Sequence, residues 1–278
     1  MEVGGGLRTY TVAGEAVLDG YEVDEMAAGG RGQLLLPWPN RIRDGNYQFD
    51  GADLQLPLTE PSRHNASHGL VRWANWTATA HEPDRVVMEL ALHPQPGYPF
   101  TLDLSVEYRL GPGGLSVATT ATNRGDRPCP YGAGAHPYVT VGTDLVDDAL
   151  LEVPAATWLE ADERGIPTGT APVARSPYDF QRARPIGALV LDTAFTDILG
   201  TEAVLAGPRR LTVWWDEAYR WLMVFTGDTL DPARRRRSVA IEPMTCAPNA
   251  FVSGDGLRVL EPEESWTTTW GIAPGPAR

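Results

Sequence analysis

A chain of 278 residues with 42% hydrophobic and 21% charged side chains is long enough to bury a sizeable core. Its formal net charge of −13 argues against nucleic acid and anionic membranes as partners, because both require a basic surface. No run of about 18 apolar residues is present to span a bilayer. Residues 1–10 also lack the basic start and apolar run of a secretory signal.

In chain order, the first ordered features are turns. Arg43-Asp44-Gly45-Asn46 marks one, and Asp50-Gly51 is a hairpin signal. Strands follow. Val86 to Leu92 partly alternates between apolar and polar; Thr101 to Leu110 and Gly114 to Asn123 alternate well. Gly111-Pro112-Gly113-Gly114 turns between the last two, and Asn123-Arg124-Gly125-Asp126 turns after them. Arg210 to Trp215, Trp221 to Phe225, Ser238 to Ile241 and Ser265 to Trp270 read as further strands. Asp231 to Arg237, with four consecutive arginines, reads as a solvated loop, or else as a phosphate grip. Asp255-Gly256 is a second hairpin signal.

No helical stripe exceeds 12 residues, and no repeat of fixed period appears. Glycine and proline are spread throughout rather than pooled in a linker. The expected fold is all-β, one large antiparallel β-sandwich domain over residues 1–278. Cys129 and Cys246 are too few for a disulfide framework and have no partner at metal-ligand spacing. Free thiols in a cytoplasmic protein are expected.

The chemistry-bearing segments lie tens of residues apart, so only a folded cleft can unite them. His68 precedes Gly69, a residue that allows an unusual backbone or a close ligand approach. His136 precedes Pro137, which cannot donate a ladder hydrogen bond; the strand should end or bulge there. Glu242 sits between Ile241 and Pro243 beside an apolar run, where partial desolvation raises a carboxyl pKa and makes a better base. A histidine and a carboxylate across a substrate form an acid/base pair working near neutral pH. His64, His81 and His93 carry no such context and read as exposed loop residues. His68, His136 and Glu242 could in principle hold zinc, but no His-x-His or His-Glu-x-x-His accompanies them, which argues against metal catalysis. No Gly-x-Ser-x-Gly elbow or phosphate loop is present either.

The ordered set of segments resembles the aldose 1-epimerases (galactose mutarotases). It comprises Pro37-Trp38-Pro39-Asn40-Arg41-Ile42, Asp44-Gly45, Phe49-Asp50-Gly51, Asn65, His68-Gly69, His136-Pro137-Tyr138, Leu191-Asp192-Thr193-Ala194-Phe195, Phe225-Thr226-Gly227 and Ile241-Glu242-Pro243. The likeness spans about residues 30 to 270. It implies a galactose mutarotase-type β-sandwich that interconverts the α and β anomers of a hexose. Glu242 would be the general base and His136 the general acid. Arg41, His68 and Asp192 would hold sugar hydroxyls and the ring oxygen, with Asn40 and Tyr138 as further substrate contacts. No cofactor or metal is implied; the partner is a small-molecule sugar, and the protein would be a monomer or homodimer.

Two positions depart from the family pattern. Thr193 follows the aspartate where a histidine is common, and Leu70 stands where a second glycine usually follows the first histidine. These put the preferred sugar in question more than the reaction. Trp38, Trp73 and Trp76 are candidates for a sugar-stacking face or for the core. A hexose-phosphate 1-epimerase would require arginines converging on the cleft, with Arg234–Arg237 the visible cluster. A non-catalytic carbohydrate-binding protein would tolerate loss of Glu242.

Overall fold

The computed structural model describes residues 1–275. It is almost entirely β, with two large antiparallel sheets packed face to face. The nine-stranded sheet has the spatial order Arg184–Pro185, Leu150–Glu152, Glu202–Ala206, Arg210–Trp215, Ser265–Pro274, Gly114–Asn123, Leu102–Gly111, Arg85–Leu92 and Thr77–Glu82. The eight-stranded sheet runs Pro167–Pro172, Ala155–Ala161, Asp192–Ile198, Trp221–Phe225, Val239–Met244, Gly134–Ala135 and Leu34–Leu35. Its eighth strand, Tyr138–Val139, also pairs with Val239–Met244.

The alternating sequences form these strands because each pleat sends every second side chain inward. Gly114–Asn123 alternates between half-buried and buried along its whole length. Leu102, Val106, Val117, Val213, Trp270 and Ile272 of the nine-stranded sheet meet Phe195, Leu222, Val224, Val239 and Ile241 of the other in one apolar cluster. Fully burying each such side chain contributes about 1.5–3 kcal/mol.

That parity decides where the functional residues point. With Val239 and Ile241 in the core, Ala240, Glu242 and Met244 occupy the opposite face. With Leu222 and Val224 inward, Trp221, Met223 and Phe225 share that opposite face, as do Asp192 and Ala194 on the next strand. The eight-stranded sheet therefore presents a second lined surface, away from the core, on which the cleft is built.

The turn signals mostly hold. Asp50 (φ 49°) and Gly51 (φ 74°) close the hairpin of Asn46–Phe49 with Ala52–Gln55, and Gly111 pairs with Gly114 across their turn. Asp255-Gly256 does not make a hairpin. It follows the short helix Ala250–Ser253 and leads into Arg258–Leu260, which pairs with distant Cys129–Tyr131. Both cysteines are buried and free. No helix of the described residues is long and apolar enough to cross a membrane.

Candidate active site

Strand register places His136 and Glu242 face to face. Gly134 pairs with Met244 and Tyr138 with Ala240, so the register carried between them sets His136 opposite Glu242. The pairing is interrupted at His136-Pro137, the break that proline's missing donor imposes. His136 Nε2 lies 3.3 Å from Glu242 Oε1, and the residues are only 5% and 2% exposed. Met223 pairs with Glu242, and Ala194 with Met223, extending the row across the sheet.

Behind His136 stands a stack. The Tyr138 ring lies 4.9 Å from the imidazole at 15°, and the Arg31 guanidinium sits 4.3 Å from the Tyr138 centroid. Arg31 is held by the Asp19 carboxylate at 2.8 Å and by the carbonyls of Asp19 and Ala28. Gly30, at φ 80°, passes so close to His136 that a Cβ there would lie 2.6 Å from the ring. Its backbone thus forms the wall that confines the imidazole. Replacing Arg31 with Met strands part of this buried ion pair, and a loss of about 3 kcal/mol in urea unfolding is expected; stability unchanged from wild type would show that the pair does not brace the stack.

His68 reaches the same place from a different turn. Its backbone is left-handed (φ 60°), and its N–H donates to the Asn40 carbonyl at 2.8 Å. The Asn40 N–H in turn donates to His68 Nδ1 at 3.2 Å. With Nδ1 accepting, a neutral His68 carries its proton on Nε2 and serves as a donor. The two histidine rings meet edge to face at 5.5 Å. Asn40, itself left-handed at φ 56°, also caps the Arg41 N–H with its side-chain oxygen.

Arg41 lies against Glu60 with two hydrogen bonds, 2.8 and 3.1 Å. Asp192 is reached by Arg63 at 3.4 Å. Together these groups line a cavity of about 590 Å³ whose walls include Asn40, Arg41, Glu60, His68, His136, Asp192 and Glu242. That size suits a small polar ligand. A larger hollow of about 810 Å³ beside Trp215, Asp216 and Trp221 contains no histidine.

Burial governs the electrostatics. It pushes His136 down to about 3, with the nearby Arg72 and Arg31 charges adding to the effect. His68 is held well below the ordinary histidine value by burial and by the neighbouring His136. Glu242 is driven well above the usual carboxylate range by burial and by Asp192, with Arg41 opposing. Glu242 Oε2 and His136 Nδ1 are both buried without a partner. A single proton shared between Glu242 and His136 leaves the dry pair with no net charge, whichever group holds it.

The structure thus brings Asn40, Arg41, His68, His136, Asp192 and Glu242 to one cleft. Tyr138 is different: the Gly29–Gly30 segment covers it, its hydroxyl donates to the Gly29 carbonyl at 2.9 Å, and it supports His136 from behind. Trp38 and Trp76 are core residues, 2% and 1% exposed, while Trp73 is 51% exposed on the cleft wall. In the arginine run, Arg234 pairs with Asp19 and Glu25, and Arg236 with Asp147 and Asp228. The run is the mostly exposed loop expected between Trp221–Phe225 and Val239–Met244, pinned by these ion pairs, and none of its arginines lines the cleft. His64 pairs with Asp44, His93 is an exposed loop residue, and His81 lies exposed on the Thr77–Glu82 strand rather than in a loop. Among the described residues, no group of three His, Cys, Asp or Glu is placed to hold a metal ion.

The aldose 1-epimerase family model matches residues 1–273. The chain belongs to the aldose 1-epimerase family. It is 36% identical over 262 residues to the uncharacterized protein YihR of Escherichia coli (strain K12), covering 93% of this chain and 84% of that protein. It is 27% identical over 194 residues to the galactose mutarotase of Pongo abelii, covering 67% of this chain and 55% of that protein. The solved aldose epimerase homologue from C. elegans superposes with a TM-score of 0.86 at 19% identity, covering 99% and 94% of the two chains. That likeness shows the fold, the large β-sandwich expected of this family.

Several cleft residues of this epimerase-family chain carry no signal in the sequence. Glu60, Arg63 and Arg72 line the cavity from loops without a motif, and Arg31 acts from behind it. Thr193, where many relatives of the known pattern carry histidine, is buried on the side of the sheet away from Asp192. It therefore contributes no group to the cleft.

Proposed function

We propose that this protein is an aldose 1-epimerase that opens and closes a cyclic hemiacetal with Glu242 as base and His136 as acid. The observation that carries the reading is the buried pair at 3.3 Å on the floor of a polar cleft. Ionised Glu242 removes the proton from the C1 hydroxyl while protonated His136 gives one to the ring oxygen, and the C1–O5 bond breaks. Rotation about C1–C2 presents the other aldehyde face. Ring closure runs in reverse: neutral His136 takes the O5 proton and protonated Glu242 returns one to O1.

The two half-reactions need opposite tautomers of the same one-proton pair. Burial favours neutral His136 with protonated Glu242, the form suited to ring closure. Their separation lets the proton cross to the form suited to opening when a cyclic sugar binds. His68 Nε2–H, Arg41, Asn40 and Asp192 would hold hydroxyls around the ring. A binding protein has no use for a desolvated, unpartnered carboxylate oxygen, which supports catalysis over mere recognition.

Polarimetry of freshly dissolved α-D-glucose and α-D-galactose tests this reading. Relaxation to the equilibrium rotation is expected to speed up in proportion to enzyme concentration. Rates equal to those of buffer, on these sugars and on their C6-charged counterparts, would overturn it.

A further inference from the structure

Three arginines face the cavity, and one of them makes no direct ion pair among the described residues. Arg41 is engaged by Glu60 through two bonds, and Arg63 lies 3.4 Å from Asp192 and 3.9 Å from Glu60. Arg72 has no carboxylate within 4.0 Å among the described residues. Its guanidinium contacts are the Ser67 carbonyl and Gln33 Oε1, both long at 3.4 Å. A half-buried guanidinium that is desolvated with no anion in direct contact, and only the more distant Glu60 charge nearby, is poised to receive one, and its planar fork suits carboxylate, phosphate or sulfonate.

Its position indicates which part of a sugar it meets. Arg72 reaches the Ser67 carbonyl, next to His68, and Gln33, whose own carbonyl accepts the His136 N–H at 3.1 Å. Arg72 therefore stands on the histidine side of the pair. In a pyranose the ring oxygen is bonded to C1 and C5. With O1 at Glu242 and O5 at His136, the next position beyond the histidine is C5, which carries C6. Resting on the anomer-interconverting reading above, we propose that the preferred substrate is an aldose bearing an anionic group at C6, and that Arg72 binds that group.

The convergence of arginines required for a charged sugar comes from Arg72, not from the Arg234–Arg237 run. The net charge of −13 does not oppose it at this range, since exposed charges are screened over roughly 8–10 Å at physiological salt. The neighbouring Trp73, exposed on the same wall, offers an apolar face beside the anion.

The test measures kcat/KM for anomer exchange by NMR on glucose, glucuronate, glucose 6-phosphate and 6-deoxy-6-sulfoglucose, each above its uncatalysed rate. At least one anion is expected to exceed glucose by about 10- to 100-fold, the size of one good charge-assisted contact. The arm that wins identifies the anion. Arg72→Met should collapse that anion-to-glucose ratio by a similar factor, mainly through KM, while Arg72→Lys retains part of it. Glucose matching every anion, or Arg72→Met lowering glucose and anion equally, would overturn the proposal while leaving anomer interconversion intact. Failure on all four sugars would remove both readings together.

Discussion

Glu242→Gln is expected to lower kcat for anomer interconversion by about 10² to 10⁴, the usual contribution of a positioned acid/base group. The amide keeps the shape and sits on the same strand opposite His136, but it cannot accept the C1 proton. His136→Asn should cost a similar factor. Because the two groups hand one proton between them, the double variant should be little worse than either single one. Additive losses would mean that they act independently. Activity is read by polarimetry, with circular dichroism confirming the fold.

The same substitution should stabilise the protein. Burial raises the Glu242 pKa in the folded state, so folding favours its protonated form. Stability from such a group is present below the unfolded carboxyl pKa, near 4.3, and is lost as pH rises above it. Glu242→Gln removes that loss. The gain is expected at about 1–3 kcal/mol, or roughly 2–8 °C in Tm at neutral pH, shrinking to nothing below about pH 4. A Tm that falls at neutral pH would show that the carboxylate is better satisfied than its orphaned Oε2 indicates.

Gly69→Ala is expected to have the largest effect on the fold. Gly69 lies at φ 72°, and a Cβ there would stand 1.9 Å from the Leu36 carbonyl oxygen. That carbonyl accepts the Leu70 N–H at 2.7 Å, so the chain cannot retreat without losing the bond. A cost of about 3–5 kcal/mol in urea unfolding follows, and the adjacent His68 would leave its place. Gly51→Ala is the matched control. Its φ is also positive, at 74°, but a Cβ meets nothing within 4 Å. It should cost only the left-handed strain, about 1–2 kcal/mol. Equal losses at both positions would show that backbone strain, not the collision with Leu36, is what matters at Gly69.

The strands with clean two-residue periodicity were legible because one face of each lies on the core. Leu102–Gly111, Gly114–Asn123 and Arg210–Trp215 are examples. Ala155–Ala161 and Pro167–Pro172 were not. The first begins with small residues and the second holds prolines and glycine, and their burial is slight. The catalytic candidates were legible because each has a distinctive neighbour: Gly69 frees the His68 turn, Pro137 breaks the strand at His136, and an apolar run buries Glu242. Arg72 was not legible. Whether an arginine is a clamp or a free ligand depends on which carboxylates the fold brings beside it, and only long-range strand register decides that. Tyr138 shares the cleft face with His136 by parity, yet the Gly29–Gly30 segment, more than 100 residues earlier, covers it.

The pH dependence of kcat/KM for anomer exchange is the most direct test of the Glu242–His136 pair, because it reports the free enzyme's acid and base. The working state carries one proton on the pair. Since burial depresses His136 to about 3 and raises Glu242, the second proton binds only in strong acid and the last leaves only well above ordinary carboxyl values. The expected result is a broad bell, with an acid limb far below the ordinary histidine value and an alkaline limb well above the ordinary carboxylate range. A profile flat from acid to alkaline pH, or one unchanged in Glu242→Gln and His136→Asn, would contradict acid/base catalysis by this pair.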